Sequence, residues 1–337
     1  AATGDSPKLV FDLIERHAIR CDAIPSGLLF AAHSAKALRG LERRARFWQE
    51  RGAPVSVVGP QETARLIGTD VYRYALLDRR GGMLNPFAYT RGLAAAAVAA
   101  GATVHAPSAM HGMRRDGGSW IVESDQGSVR ADKVILATDS YSGNAVPSMQ
   151  KSLIKLRAYQ LITNPLDRSV LDTILPERHP MTDTRRLFSG VRVHPSGRLH
   201  VSVDGPVFSA GKGPFTEQAT ARVRKLFPHI GKFEWEESWQ GWVGVTTDEY
   251  PRLLKIDDGC FGAFGYSGRG LALGTLLGRE LARHILGNHP DDLALPLTAP
   301  RPALVRPVAR PLVGSLVALY RILDRIDERG VSQVQRP

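Results

Sequence analysis

The chain has 337 residues, 43% of them hydrophobic, which is enough for sizeable cores spread over roughly two domains. Only Cys21 and Cys260 occur, so no disulfide framework is expected and a cytoplasmic setting is favoured; no leader pattern opens the chain, and no apolar run reaches the ~20 residues of a membrane span. The net charge of +11 is scattered over Arg79-Arg80, Arg114-Arg115, Arg185-Arg186 and a mixed-charge segment at residues 34–51, without recognition motif or zinc-ligand spacing, which argues against nucleic acid and against a metal site.

In chain order, helices are expected over residues 7–18, 35–51 and 60–67, the first opened by Ser6-Pro7. Asn85 and Pro86 then start an alanine-rich helix that stops at Gly101 and leads into a short strand at 102–105, the whole run expected to be core. A meander follows at 109–115, 119–124 and 128–130, with Asp116-Gly117-Gly118 and Asp125-Gln126-Gly127 as its turns. It closes into Lys133-Val134-Ile135-Leu136-Ala137-Thr138, an apolar run typical of a buried strand. Alternating stretches at 159–163, 187–193 and 198–203, with a helix over 216–227, read as an antiparallel sheet. A strand over 260–264 and a helix to about Gly287 come next. After the proline-rich stretch 296–311, an amphipathic helix over 312–327 carries Leu312, Leu316, Leu319, Leu323 and Ile326 on one face, expected to pack on its own protein. There are no internal repeats.

The most informative segment is Gly265-Tyr266-Ser267-Gly268-Arg269-Gly270, between that last strand and its helix. Glycines let backbone approach a ligand closely, and the unpaired N–H groups of a helix start present partial positive charge. The strand end at Ala137-Thr138 has the small and polar residues found where α/β sheets bind ligands.

Four ordered blocks resemble the flavin-dependent amine and amino-acid oxidases of the D-amino-acid oxidase superfamily: Gly82-Met83-Leu84-Asn85-Pro86 with Arg91-Gly92-Leu93; Ala131-Asp132-Lys133 through Thr138; Trp239-Gln240-Gly241-Trp242 with Thr246-Thr247-Asp248 and Pro251; and the hexapeptide. The resemblance runs over residues 11–287, and the wording of the hexapeptide is similar to the γ-glutamylputrescine oxidase-like branch. It implies FAD as cofactor and an amine or amino acid as the small-molecule substrate. It further implies that Met110, Ala137 and Thr138 lie against the ADP portion, and that Gly265, Ser267, Gly268, Arg269, Gly270 and Leu271 lie at the flavin, the N–H groups of the last three aimed at its pyrimidine edge. Arg269 either adds charge there or ties down the loop. Tyr159, Arg192, Trp242 and Tyr266 are the candidates for the substrate face, pictured as an apolar cage with few polar groups. Where glycine oxidase-like enzymes carry an arginine for the substrate carboxylate, this chain has Val243, which favours an amine or a larger amino compound. No catalytic base stands out among His17, His33, His194 and His200.

Relatives open with a strand, a G-x-G-x-x-G turn and an acidic ribose-binding residue, none of which this chain contains. The expectation is a truncated flavoenzyme, with a second chain supplying the nucleotide-binding unit, or loss of flavin binding, as the alternatives. The expected fold is therefore a two-domain α/β plus α+β chain in which an incomplete FAD/NAD(P)-binding-type domain is interleaved with an antiparallel-sheet substrate domain. The substrate domain is assigned residues 1–78 and 146–250, the cofactor domain 79–145 and 251–290, and the tail 291–337.

Overall fold

The computed structural model of the protein describes residues 2–143, 146–186, 189–204, 215–302, 319–320, 322–324 and 326–327. The chain forms two compact units, one made of Ala1–Cys21, Pro86–Leu156 and Trp242–Ala309, the other of Asp22–Asn85, Arg157–Gly241 and Arg310–Pro337. The first helix, Ser6–Arg16, thus belongs with the returning strands of the first unit, where it packs on the helix Gly270–Ile285, whereas the sequence division placed it with the substrate domain. The strand Trp235–Val245 likewise straddles the boundary.

In the first unit, four strands lie in the order Leu297–Thr298, Arg252–Asp257, Cys260–Phe264, Val134–Leu136. The last two are parallel, pairing Cys260 with Val134 and Gly262 with Leu136. Cys260–Phe264 is buried along its whole length, as expected of an apolar run with helix on one side. Leu273, Leu276, Leu277 and Leu281 give Gly270–Ile285 a continuous buried stripe, and Leu277 and Leu281 pack with Phe261 and Ala263. The meander forms as Met110–Asp116, Ser119–Ser124 and Gly127–Ala131. Two expectations fail nearby. Residues 102–105 form no strand, and the helix Pro86–Ala99 is not core: Tyr89 is its only buried residue, while Val98 is 51% and Phe87 70% exposed. Ile19 packs against it at Gly92, but much of its apolar surface stays exposed.

The second unit is an eight-stranded sheet in the order Trp235–Val245, Ile154–Thr163, Leu199–Asp204, Ser189–Val193, Met181–Asp183, Leu28–Ala31, Ala75–Asp78, Val55–Val58. All pairings with a resolved register are antiparallel except Leu28–Ala31 against Met181–Asp183. One face is apolar. Tyr159, Leu161, Val191, Val193, Leu199, Val201 and Val203 meet Phe215, Ala219, Val223 and Leu226 of the helix Phe215–Leu226 there. The helix Ala35–Gln49 is capped by Ser34, whose side chain accepts from the Ala37 N–H at 3.2 Å, and it packs Leu41 and Ala45 on Val55 and Leu76. The helix Pro60–Ile67 ends on Gly68, at φ 84°, where a Cβ would stand 1.8 Å from the Thr173 carbonyl oxygen, so only glycine fits.

Of the amphipathic tail helix, only residues 319–320, 322–324 and 326–327 are described. The expected packing face is only partly met there: Leu323 is half-buried, Leu319 and Ile326 are exposed, and among the described residues of this segment the buried one is Asp324, held with Asp327 by Arg186 at 2.7 and 2.9 Å. Leu312 and Leu316 lie outside the described residues.

Candidate functional site

In the first unit, the site is built from backbone. Gly265 and Gly268 have φ of 79° and 83°, and Ser267 joins them in the left-handed region at 49°. The loop is held from below by a carboxylate that the sequence reading missed. Asp139, itself at φ 40° just past the parallel strand Val134–Leu136, accepts the Gly265 N–H at 2.9 Å and the Ser140 hydroxyl at 2.7 Å. The Ser267 N–H donates to the Gly244 carbonyl at 3.2 Å. A Cβ on Gly244 would come within 2.8 Å of the Ser140 hydroxyl and 2.9 Å of the Asp139 carboxylate. Three chain segments therefore converge on one carboxylate.

Above this floor the loop is open. Gly268, Arg269 and Gly270 are exposed, and the helix Gly270–Ile285 has no side-chain cap. The Arg269 N–H is spent on the Tyr266 carbonyl at 3.0 Å, but those of Gly270, Leu271 and Ala272 have no partner among the described residues. The N–H groups without a protein partner among the described residues are thus those of Gly270 to Ala272, where those of Arg269 to Leu271 were expected to be open. This set suits an anion or an electron-rich ring edge, so the residues present fit the flavin that the family resemblance implies. The Arg269 side chain donates to the Glu249 carbonyl at 2.7 Å, which ties the loop down. Burial, then the charge of Asp139, pushes the Tyr266 phenol up to about 12. Trp242 donates its backbone N–H to the Tyr141 hydroxyl at 3.0 Å. Ala137 and Thr138 are exposed, Thr138 bonding Ser142 at 2.9 Å, and Met110 is half-buried against the core around Trp120 and Leu136.

In the second unit, the period of two in the strands separates two residues that the sequence reading put together. Tyr159 is 1% exposed and stacks on Phe215 at 4.3 Å within the core, so it is a core residue and not a substrate contact. Arg192 lies on the opposite face. There it donates from Nη2 to the Ser202 hydroxyl at 3.1 Å, and Ser202 donates onward to Gln160 Oε1 at 2.5 Å. The same Gln160 oxygen bonds His200 Nε2 at 2.8 Å, and because that oxygen only accepts, His200 carries its proton on Nε2. The His200 ring stands 5.2 Å from that of Trp239. Burial first, then the charges of Arg192 and His194, drive its pKa down to about 3, so it is neutral at physiological pH. Gln160 and Ser202 were not singled out from the sequence and His200 was set aside there, although their alternation with Leu161, Val201 and Leu199 was a readable signal. This face of the sheet is thus a polar row rather than an apolar one.

Elsewhere the paired arginines are engaged: Arg80 with Asp78, Arg114 with Glu123, Arg115 with Asp258. His33, Asp324 and Asp327 bring ligand atoms within 4.8 Å of one another, but the Arg186 guanidinium already supplies the cation between the two carboxylates. No helix among the described residues is long and apolar enough to cross a membrane.

γ-Glutamylputrescine oxidoreductase of Escherichia coli (strain K12) is 26% identical over 284 residues, covering 83% of this chain and 66% of that protein. The probable oxidoreductase OrdL of Rhizobium meliloti (strain 1021) is 25% identical over 299 residues, covering 88% and 69%. The chain thus spans about two thirds of the length of these relatives. Among solved structures, glycine oxidase from Geobacillus kaustophilus superposes with a TM-score of 0.72 at 20% identity over 86% of this chain and 78% of that one, a likeness of fold. L-proline dehydrogenase from P. horikoshii does so at 0.74 and 18% identity, over 84% and 78%. A model of the family described as FAD dependent oxidoreductase matches residues 2–284, and the chain belongs to that family, DAO, whose cofactor is FAD.

Proposed function

We propose that the protein oxidises an amine or amino acid by removing a hydride from the carbon bearing nitrogen. The observation that carries this reading is the open helix start after Gly268, where three consecutive N–H groups, those of Gly270, Leu271 and Ala272, lack partners. FAD, when bound, supplies the hydride acceptor at its N5. The chain's own residues do the rest. The N–H groups of Gly270 to Ala272 would offset negative charge on the pyrimidine edge, with Asp139 fixing the loop that presents them. The phenol of Tyr266 stays protonated across the physiological range and offers a neutral donor. The second unit, taken by itself, carries a polar row of Arg192, Ser202, Gln160 and His200 beside Trp239 that suits the polar groups of a small molecule.

The names of the relatives support an amino compound as the substrate, since one acts on γ-glutamylputrescine and another on glycine. The largely exposed helix Pro86–Ala99 and the edge strand Val134–Leu136 favour a further strand-helix segment in the working enzyme, provided by the same polypeptide or by a second chain. A cytoplasmic location is part of the same reading.

The test is anaerobic addition of amines and amino acids to the chain loaded with FAD, followed by visible absorption. Bleaching of the flavin band by members of either class is the expected result. A chain that holds FAD but is bleached by none of them would overturn the proposal.

A further inference from the structure

In the second unit, His33 stands just before Ser34, the cap of the helix Ala35–Gln49, and beside the tail segment that carries Asp324 and Asp327. Its hydrogen bonds fix its tautomer. The Thr184 hydroxyl donates its one proton to the Ala31 carbonyl at 3.2 Å, so toward His33 the same oxygen only accepts. It takes the His33 backbone N–H at 3.1 Å and the Nδ1–H at 2.8 Å. In the neutral ring, Nε2 is then a bare lone pair. That atom is buried, and no donor reaches it among the described residues. Burial first, then the charge of Arg185, holds the His33 pKa below its ordinary value against the opposite pull of Asp183, Asp324 and Asp327, so a second proton does not fill the gap at neutral pH. Asp324 is buried, Asp327 is half-buried, and one ligand atom from each of the three residues lies within 4.8 Å of the others. The two carboxylates alone would carry no site, because Arg186 already meets their charge. The nitrogen is what asks for an ion: a buried lone pair beside two carboxylates, with no proton between them, is costly unless a cation takes all three.

We propose that His33 Nε2, Asp324 and Asp327 bind a divalent transition-metal ion, zinc being the best match, and that the ion fastens the tail segment to the start of the helix Ala35–Gln49. One imidazole with two carboxylates suits zinc, whereas calcium and magnesium favour sets made of oxygen alone. The Nδ1–H bond to Thr184 is the outer contact that orients a metal-binding imidazole and leaves Nε2 for the ion. Zinc–ligand distances of about 2.0–2.2 Å hold ligand atoms up to about 4 Å apart, so a small closure of the side chains completes the set. Arg186 keeps its bonds to both carboxylates and offsets part of their charge. His33 lies near one end of the chain and the two aspartates near the other, which is why no ligand spacing is visible in the sequence.

The test is calorimetric titration of the chain, freed of metal with EDTA and desalted, with zinc chloride. The wild-type chain should take up one ion at micromolar free zinc, magnesium and calcium should not displace it, and bound zinc should raise the melting temperature. His33→Ala and Asp327→Asn should each weaken the site at least about tenfold and shrink that rise in melting temperature. Circular dichroism shows whether each variant is folded. X-ray absorption at the zinc edge of the wild-type complex decides independently of any variant: one imidazole with oxygen ligands is expected. No site of this strength in the wild-type chain, an affinity unchanged in either folded variant, or a zinc shell containing sulfur or more than one imidazole would overturn the proposal. The readout is metal binding, so the result stands apart from the oxidation reading.

Discussion

The loop Gly265–Gly270 and the row Arg192–His200 present polar groups by opposite means. The loop uses backbone: left-handed glycines, an uncapped helix start and one carboxylate beneath. The row uses side chains brought into line by strand register, Arg192 opposite His200 and Ser202 opposite Gln160. A backbone site depends on a few local conformations and tolerates few residues. A register site depends on pairing between segments some forty positions apart, as with Gln160 and His200, and its members look ordinary one at a time.

The sharpest way to break this contrast is at Tyr159. If it belongs to the core and not to the row, Tyr159→Ala costs about 3–5 kcal/mol of stability, as for other large buried aromatics, yet leaves KM for the substrate unchanged. Denaturant unfolding and steady-state kinetics read the two effects separately, and a raised KM at unaltered stability would return Tyr159 to the site.

That example also marks how far the sequence was legible. The glycine hexapeptide, the strand Cys260–Phe264, the helix Pro60–Ile67 and the meander are visible because turn residues and short-range periodicity encode them locally. Tyr159 and Arg192 were grouped because both sit on sheet strands, without the phase of the alternation that sets them on opposite faces. Asp139 was invisible because its role depends on Gly265, 126 positions away. The Trp235–Val245 strand was missed because five of its eleven residues are exposed and it lacks an apolar alternation. The alanine-rich helix was read as core from composition alone, and composition does not say what covers a face.

Next in size is Gly244→Val. Its side chain has nowhere to go but into the Ser140 hydroxyl and the Asp139 carboxylate, and the overpacking should cost about 1–3 kcal/mol and loosen the loop. Melting temperature and flavin retention should fall together; a variant that keeps both would show that the carboxylate floor is dispensable.

The row can be probed by pH. The folded pKa of His200 lies near 3 while the unfolded chain takes up its proton near the ordinary value of 6.5. Between these values the unfolded state binds more protons, so stability falls as pH drops from about 6.5 toward 3. Removing the imidazole in His200→Gln should flatten that stretch of the profile measured by chemical denaturation, and an unchanged slope would mean that His200 is protonated in the folded row.

The smallest effect on stability is expected at Gly268. It is exposed, so Gly268→Leu meets only the left-handed backbone penalty of about 1–2 kcal/mol, yet a side chain there fills the space needed for close approach by a ligand.

The most direct test of the account passes the wild-type chain and Gly268→Leu, each mixed with FAD, through a desalting column and records the visible spectrum of the protein peak. The account predicts a flavin spectrum with the wild-type chain and a colourless, folded Gly268→Leu peak. Equal flavin in both peaks, or none with the wild-type chain, would contradict the claim that this loop holds the cofactor.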